Sequence, residues 1–197
     1  MKRFKTVTRS LLLIMLIHIS AGMMAQTGVY VADTKKSTIK WICGNHNGTI
    51  QIKKGELTLA DGKITKGSFE INMDSITDFD IEYELMRTTL ENIIRSLDYF
   101  DAEHYPVSSF TIIEVNPGGN KQIITGDLQA KDQKHPVTFP ATLSVHGNTL
   151  TATSDKFKID RTRWGLITAS VKYVKSKDAF TFSDDIYLVI ELHAVKK

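Results

Sequence analysis

The sequence predicts an all-β fold: an antiparallel barrel or sandwich of about eight to ten strands, interrupted by one amphipathic helix. Three observations predict it. Residues 37 to 192 contain many short runs in which apolar and polar residues alternate, the period of a strand with one buried face. Turn-forming clusters such as Asp61-Gly62, Asn116-Pro117-Gly118-Gly119-Asn120 and His146-Gly147-Asn148 separate these runs. Only residues 80 to 97 follow a helical spacing instead. Parallel strands would need crossover helices, so antiparallel pairing follows. Closing the sheet into a barrel would also remove its exposed edges.

The chain opens with Lys2, Arg3, Lys5 and Arg9, followed by the apolar run Leu11 to Ile19 and by small residues ending at Ala25. That order predicts a cleaved secretory signal over residues 1–25 and an exported domain, periplasmic or secreted, over 26–197. The apolar run is shorter than the roughly 20 residues that span a bilayer. The formal charge of +3 belongs to that leader, because residues 26–197 carry 21 Lys+Arg against 22 Asp+Glu. A domain so nearly neutral lacks the basic patch that nucleic-acid binding requires, and no nucleic-acid partner is assigned. Cys43 is the only cysteine. No internal disulfide is available, so the domain relies on its apolar core. Cys43 itself reads as a small buried hydrophobe.

From Ser37 to Cys43 the chain alternates, with Ile39, Trp41 and Cys43 on one face. Ile50 and Ile52 follow, then Leu57 and Leu59 beyond Gly55. Asp61-Gly62 is a hairpin signal because both positions of such a turn need positive φ. The returning strand starts at Ile64 and continues through Phe69, Ile71 and Met73. Ile64 and Phe69 differ in parity, and a bulge at Gly67 would restore the register. In the helical segment, Ile81, Leu85, Leu90, Ile93, Ile94 and Leu97 recur among Glu82, Glu84, Arg87, Glu91 and Arg95. Asp78 or Asp80 is placed to cap it. Strands resume over Val107 to Val115, Ile123 to Ala130, Val137 to Leu143 and Leu150 to Ile159. Residues 160 to 178 are irregular and charged, Ala179 to Phe182 is a short run, and Ile186, Leu188, Ile190 and Leu192 share a face of the last strand.

No catalytic motif with specific spacing is present: no Gly-x-Ser-x-Gly elbow, no phosphate-cradling loop and no metal-binding His pair. His46, His104, His135, His146 and His193 lie far apart in the sequence, so no metal is assigned. Asp74, Asp78 and Asp80 lack the spacing of a calcium loop. Asp184-Asp185 reads as a solvated loop pair. What remains is the inward face. Trp41, Phe69, Phe110, Phe139 and Phe157 fall at alternating positions of different strands. In a barrel of about eight strands such residues either fill the interior or line a cavity.

Several words of the chain, in order, resemble the YceI family of polyisoprenoid-binding proteins. The stretch from Asp33 through Ser37 to Trp41 is similar to the family's opening strand, and His46-Asn47-Gly48-Thr49 to its His-containing second strand. Lys66-Gly67-Ser68-Phe69-Glu70-Ile71 resembles the third. The most specific word is Arg95-Ser96-Leu97-Asp98-Tyr99-Phe100-Asp101, followed by His104-Tyr105-Pro106 and Phe110. Thr125-Gly126-Asp127-Leu128, Phe139-Pro140-Ala141 and Ile159-Asp160-Arg161-Thr162-Arg163-Trp164-Gly165 fit later segments. Ile93 stands where the family often has His, and Leu97 where it often has an acidic residue, which leaves a greasier rim.

The resemblance implies a single antiparallel eight-stranded lipocalin-like barrel, with an apolar tunnel and the helix over one end. It implies a long-chain lipid or polyisoprenoid as ligand, no catalysis and no cofactor. The inward residues Trp41, Phe69, Phe110, Leu128, Phe139, Phe157 and Leu188 would line the tunnel, with Leu90, Ile94 and Leu97 covering its opening. Arg161, Arg163 and Trp164 would either meet an anionic head group or form surface contacts. The other reading of the same pattern is a filled barrel that serves as a structural or interaction module. Both are compatible with a homodimer, and the carrier reading with transient membrane contact.

Overall fold

The computed structural model describes residues 26–175 and 181–197. The leader expected over 1–25 lies outside them, as do residues 179 and 180 of the short run expected before Phe182. Among the described residues are strands β1 (Gly28–Ala32), β2 (Thr38–Cys43), β3 (His46–Ala60) and β4 (Lys63–Asp78). Helix α1 (Glu84–Arg95) follows. Then come β5 (Val107–Gly118), β6 (Lys121–Ala130), β7 (Gln133–His146), β8 (Thr149–Ser154), β9 (Phe157–Asp160), a 3-10 turn (Arg161–Trp164) and β10 (Asp185–Lys196).

The strands form one antiparallel ring. Its order runs from β2 through β3, β4, β5, β6, β7 and β8 to β10, which pairs back onto β2. The barrel therefore has eight staves, as the family resemblance implies, and two staves are made of two segments each. β1 and β2 share the place between β3 and β10, β1 at Tyr30↔Leu57 and Ala32↔Ala194, β2 at Trp41↔Gly48 and Leu188↔Trp41. β8 and β9 share the other flank of β10, at Leu192↔Ala152 and Leu188↔Phe157. β1 carries only five residues, too few to stand out as a strand in the sequence.

Two boundaries differ from the sequence expectation. The segments on either side of Gly55 form one continuous strand of 15 residues. The register shift of the β3–β4 hairpin falls at Thr65, between Thr58↔Lys66 and Leu59↔Ile64, and not at Gly67. Gly67 pairs regularly with Leu57, and a Cβ there would lie 2.5 Å from Leu57 Cδ2, so its bareness serves packing. The Asp61-Gly62 turn is as expected, with φ of 51° and 73°.

At one end, the floor, Tyr30, Leu57, Leu59, Ile64 and Leu150 form a closed core. The other end, the mouth, is bounded by Cys43, His46, Asp78, Ala130 and Asp185 at the strand termini. Helix α1 lies there. It is shorter than the 80–97 pattern because Asp78 does not cap it. Asp78 Oδ1 instead accepts the amides of Asp80 (3.2 Å) and Ile81 (3.0 Å), turning the chain ahead of the helix. Tyr83 holds the N-cap place without a side-chain bond. Arg95 fastens the helix by donating to the carbonyls of Asp74 and Ile76 at 2.9 and 3.1 Å. Leu90 is buried, whereas Leu85, Met86 and Leu97 are exposed.

The ring is not bonded equally all round. Between the first half of β7 and strand β9, no backbone ladder is present among the described residues. Trp164 occupies this end of the barrel. Its Nε1 donates to Leu128 O at 3.0 Å, and its ring meets His135 edge-on at 5.2 Å.

Candidate ligand-binding cavity

The inward residues do not fill the barrel. Toward the mouth they surround a chamber of about 160 Å³, and below it a second of about 70 Å³. Ile39, Ile71, Phe110, Phe139 and Ile190 border both, forming a waist. Aromatic contacts organise that waist. Phe139 stacks on Phe157 at 4.5 Å and 17°, and meets Phe110 at 5.6 Å. Phe110 lies over Gly126, where a Cβ would sit 2.3 Å from the ring, so only glycine admits this placement. The upper lining is aliphatic and aromatic except for Cys43, His46, Tyr99, Ser108 and Arg161. A cavity with such walls stays dry and favours hydrocarbon.

Of the residues singled out from sequence, Trp41, Leu90, Ile94, Phe110, Leu128, Phe139, Phe157 and Leu188 border the upper chamber. Phe69 borders the lower one. Trp164 borders neither: it is 2% exposed and packs against His135 and Leu128. Leu97 is 69% exposed and does not cover the opening. Ile93, next to Ile94 on the helix, lines the chamber in its stead.

Residues 30–194 match the YceI-like domain family. The chain belongs to this family. A UPF0312 protein of Photorhabdus laumondii is 43% identical over 54 residues, a match spanning 27% of this chain and 28% of that protein. The crystal structure of Burkholderia cenocepacia BcnA is similar over 83% of this chain and 99% of that one, with 24% identity and a TM-score of 0.65. A Campylobacter jejuni YceI protein matches over 80% and 84%, with 20% identity and a TM-score of 0.55. A polyisoprenoid binding domain from Saccharophagus degradans, implicated in plant cell wall breakdown, matches over 87% and 100%, with 11% identity and a TM-score of 0.58. At these identities the likeness is one of fold.

The YceI-like mouth also holds polar groups that sequence reasoning missed or misplaced. Arg161 is neither a surface residue nor free in a loop. It is 3% exposed, and its Nε donates to Ser183 O at 2.9 Å and its Nη1 to Leu166 O. Its Nη2 lies 3.5 Å from Asp184 Oδ1. Asp184 is likewise buried, contrary to the solvated pair expected at 184–185, because it faces this guanidinium. Asp185 does stay at the surface, bonded to Lys158 at 2.9 Å. The Cys43 thiol donates to Ser183 O at 3.4 Å. Burial pushes its pKa up, Arg161 opposing and the two aspartates adding, the reverse of an activated nucleophile.

A second group joins the ends of β3 and β4. His46 Nδ1 donates to Asp80 Oδ2 at 3.0 Å and lies 3.7 Å from Asp78 Oδ2. Burial raises the Asp78 carboxyl above the usual range. Burial acts the same way on Asp80. There, however, the Asn47 amide, the contact with Asp78 and His46 outweigh it and hold the carboxyl low. The histidines are far apart in sequence, but the hairpin brings one of them to two carboxylates.

Proposed function

We propose that this chain binds a long apolar lipid, a polyisoprenoid or similar, inside the barrel and carries it without chemical change. The observation that carries this reading is the two-chambered apolar interior opening beneath α1. Each methylene buried there contributes about 0.8 kcal/mol, so an alkyl chain needs no directional bond to be held. The polyisoprenoid-binding domain of Saccharophagus degradans, which shares the fold, supports the ligand class. The raised pKa of the Cys43 thiol argues against covalent chemistry through it. The leader over 1–25 supports an exported, periplasmic or secreted carrier. Phe79, Tyr83, Leu85 and Met86 stand exposed beside the mouth, and they are the surface through which loading from a membrane would proceed.

Organic extraction of the protein purified from its exported fraction, followed by mass spectrometry, tests the reading. The expected result is a stoichiometric, chemically unmodified long-chain lipid. An empty extract, together with no uptake of added polyprenol, would overturn this reading in favour of a structural or interaction module.

A further inference from the structure

We propose that His46, Asp78 and Asp80 form a binding site for a first-row divalent transition-metal ion, zinc foremost, at the rim of the cavity. One ligand atom from each of His46, Asp78 and Asp80 lies within 4.8 Å of the other two. The two carboxylate oxygens stand 3.7 and 3.0 Å from the imidazole nitrogen. Zinc bonded at about 2.0–2.2 Å holds neighbouring ligand atoms about 3–3.5 Å apart, so small side-chain rotations complete the site.

An orphaned atom points to the ion independently of this convergence. The Asp78 side chain is 0% exposed, and among the described residues its Oδ2 has no hydrogen-bond partner. Its other oxygen is committed to two amides, which fixes the direction of the free one toward His46. A buried carboxylate oxygen without a donor is costly, and a cation removes that cost. The nearby guanidinium of Arg95 is already turned to two carbonyls and to Glu91. Asp80 is also held in place, its Oδ1 accepting the Asn47 amide at 2.8 Å while Oδ2 remains for the ion. Such outer hydrogen bonds orient ligands before the metal arrives. One imidazole among two carboxylates suits zinc and its neighbours, whereas calcium and magnesium take oxygen donors. Three protein donors leave a position for water or for an oxygen of a bound molecule. His46 also lines the upper chamber, so that position is beside the ligand's path.

The experiment uses untagged protein stripped with chelator and titrated with zinc chloride by calorimetry, with thermal unfolding in parallel. We expect one zinc ion per chain and a raised unfolding midpoint. Affinity should fall at least about tenfold in His46→Gln and in Asp80→Asn and stay unchanged in His104→Gln. Cobalt should give visible absorption bands that disappear in His46→Gln. If Asp80→Asn fails to fold, His46→Gln decides alone. The proposal is overturned if no saturable one-to-one binding occurs, or if His46→Gln binds as the parent does. In that case the imidazole is simply an ion-pair partner of the two carboxylates.

Discussion

The two ends of this barrel are built from the same residue types and have been put to different uses. At the floor, Leu59 and Leu150 are at most 1% exposed and border neither chamber. At the mouth, equally apolar residues enclose empty space, helix residues Leu85 and Met86 face solvent, and buried polar atoms go unpaired. Alternation along a strand therefore tells which side chains point inward. It does not tell whether anything meets them there. Stability should reside at the floor and binding at the mouth, and substitutions at each end can separate the two.

The largest effect is expected at the floor. Leu59→Ala should cost about 3–4 kcal/mol in chemical denaturation, because its fully buried side chain leaves a cavity that cannot collapse. Lipid recovered at temperatures below unfolding should be unchanged in kind. Loss of ligand without loss of stability would reverse the assignment of roles. At the waist, Phe139→Ala should cost about 3 kcal/mol, the low end for such a truncation, since the ring already borders a void. It should merge the two chambers and shift the co-purified lipids to longer or bulkier chains by mass spectrometry. An identical lipid profile would mean that the waist does not limit ligand length.

A smaller change is expected beside the mouth at Asp160, which caps the 3-10 turn by accepting the Thr162 amide at 3.0 Å. Burial would raise its carboxyl, but bonds from Lys172 and Thr162 prevail and lower it to about 2. The sign follows. A depressed folded pKa stabilises the protein above the unfolded value near 4, and that stabilisation is lost as pH falls toward 2. Asp160→Asn keeps the cap and loses only the charge, so it should cost about 1 kcal/mol at neutral pH after screening of the exposed Lys172, and the difference from the parent should vanish in urea titrations at the acid end. The smallest stability effect belongs to the exposed helix. Leu85→Lys with Met86→Lys should change stability by less than about 0.5 kcal/mol, yet slow lipid uptake from vesicles. Unchanged uptake would remove this helix from the loading step.

Most of the barrel was legible because strand period and turn chemistry are local. The Asp61-Gly62 turn, the alternation of Ile186 to Leu192 and the helix among strands can each be read in a short window. Contacts between distant segments were less legible. Arg161 and Asp184 meet because β9 and β10 pair at their mouth ends, and neither residue carries a sign of the other in the sequence. His46 could have been placed. Counting outward from the Asp61-Gly62 turn brings it opposite the end of β4, and the extra residues of β4 opposite Ile50 then bring Asp78 and Asp80 within reach. Trp164 misled for another reason: a large aromatic in an irregular stretch reads as a loop residue, yet its indole is buried and bonded to β6.

The uneven bonding of the ring sets how far each end can stretch. On this flank, below Ala141 and Ser154, β7, β8 and β10 are joined by continuous amide ladders, and widening the barrel there means breaking them. Above that level β7 and β9 are bridged by side chains, with Trp164 as the clasp. A wider guest would therefore be met on this flank by shifting an indole near the mouth and by breaking backbone bonds nearer the floor.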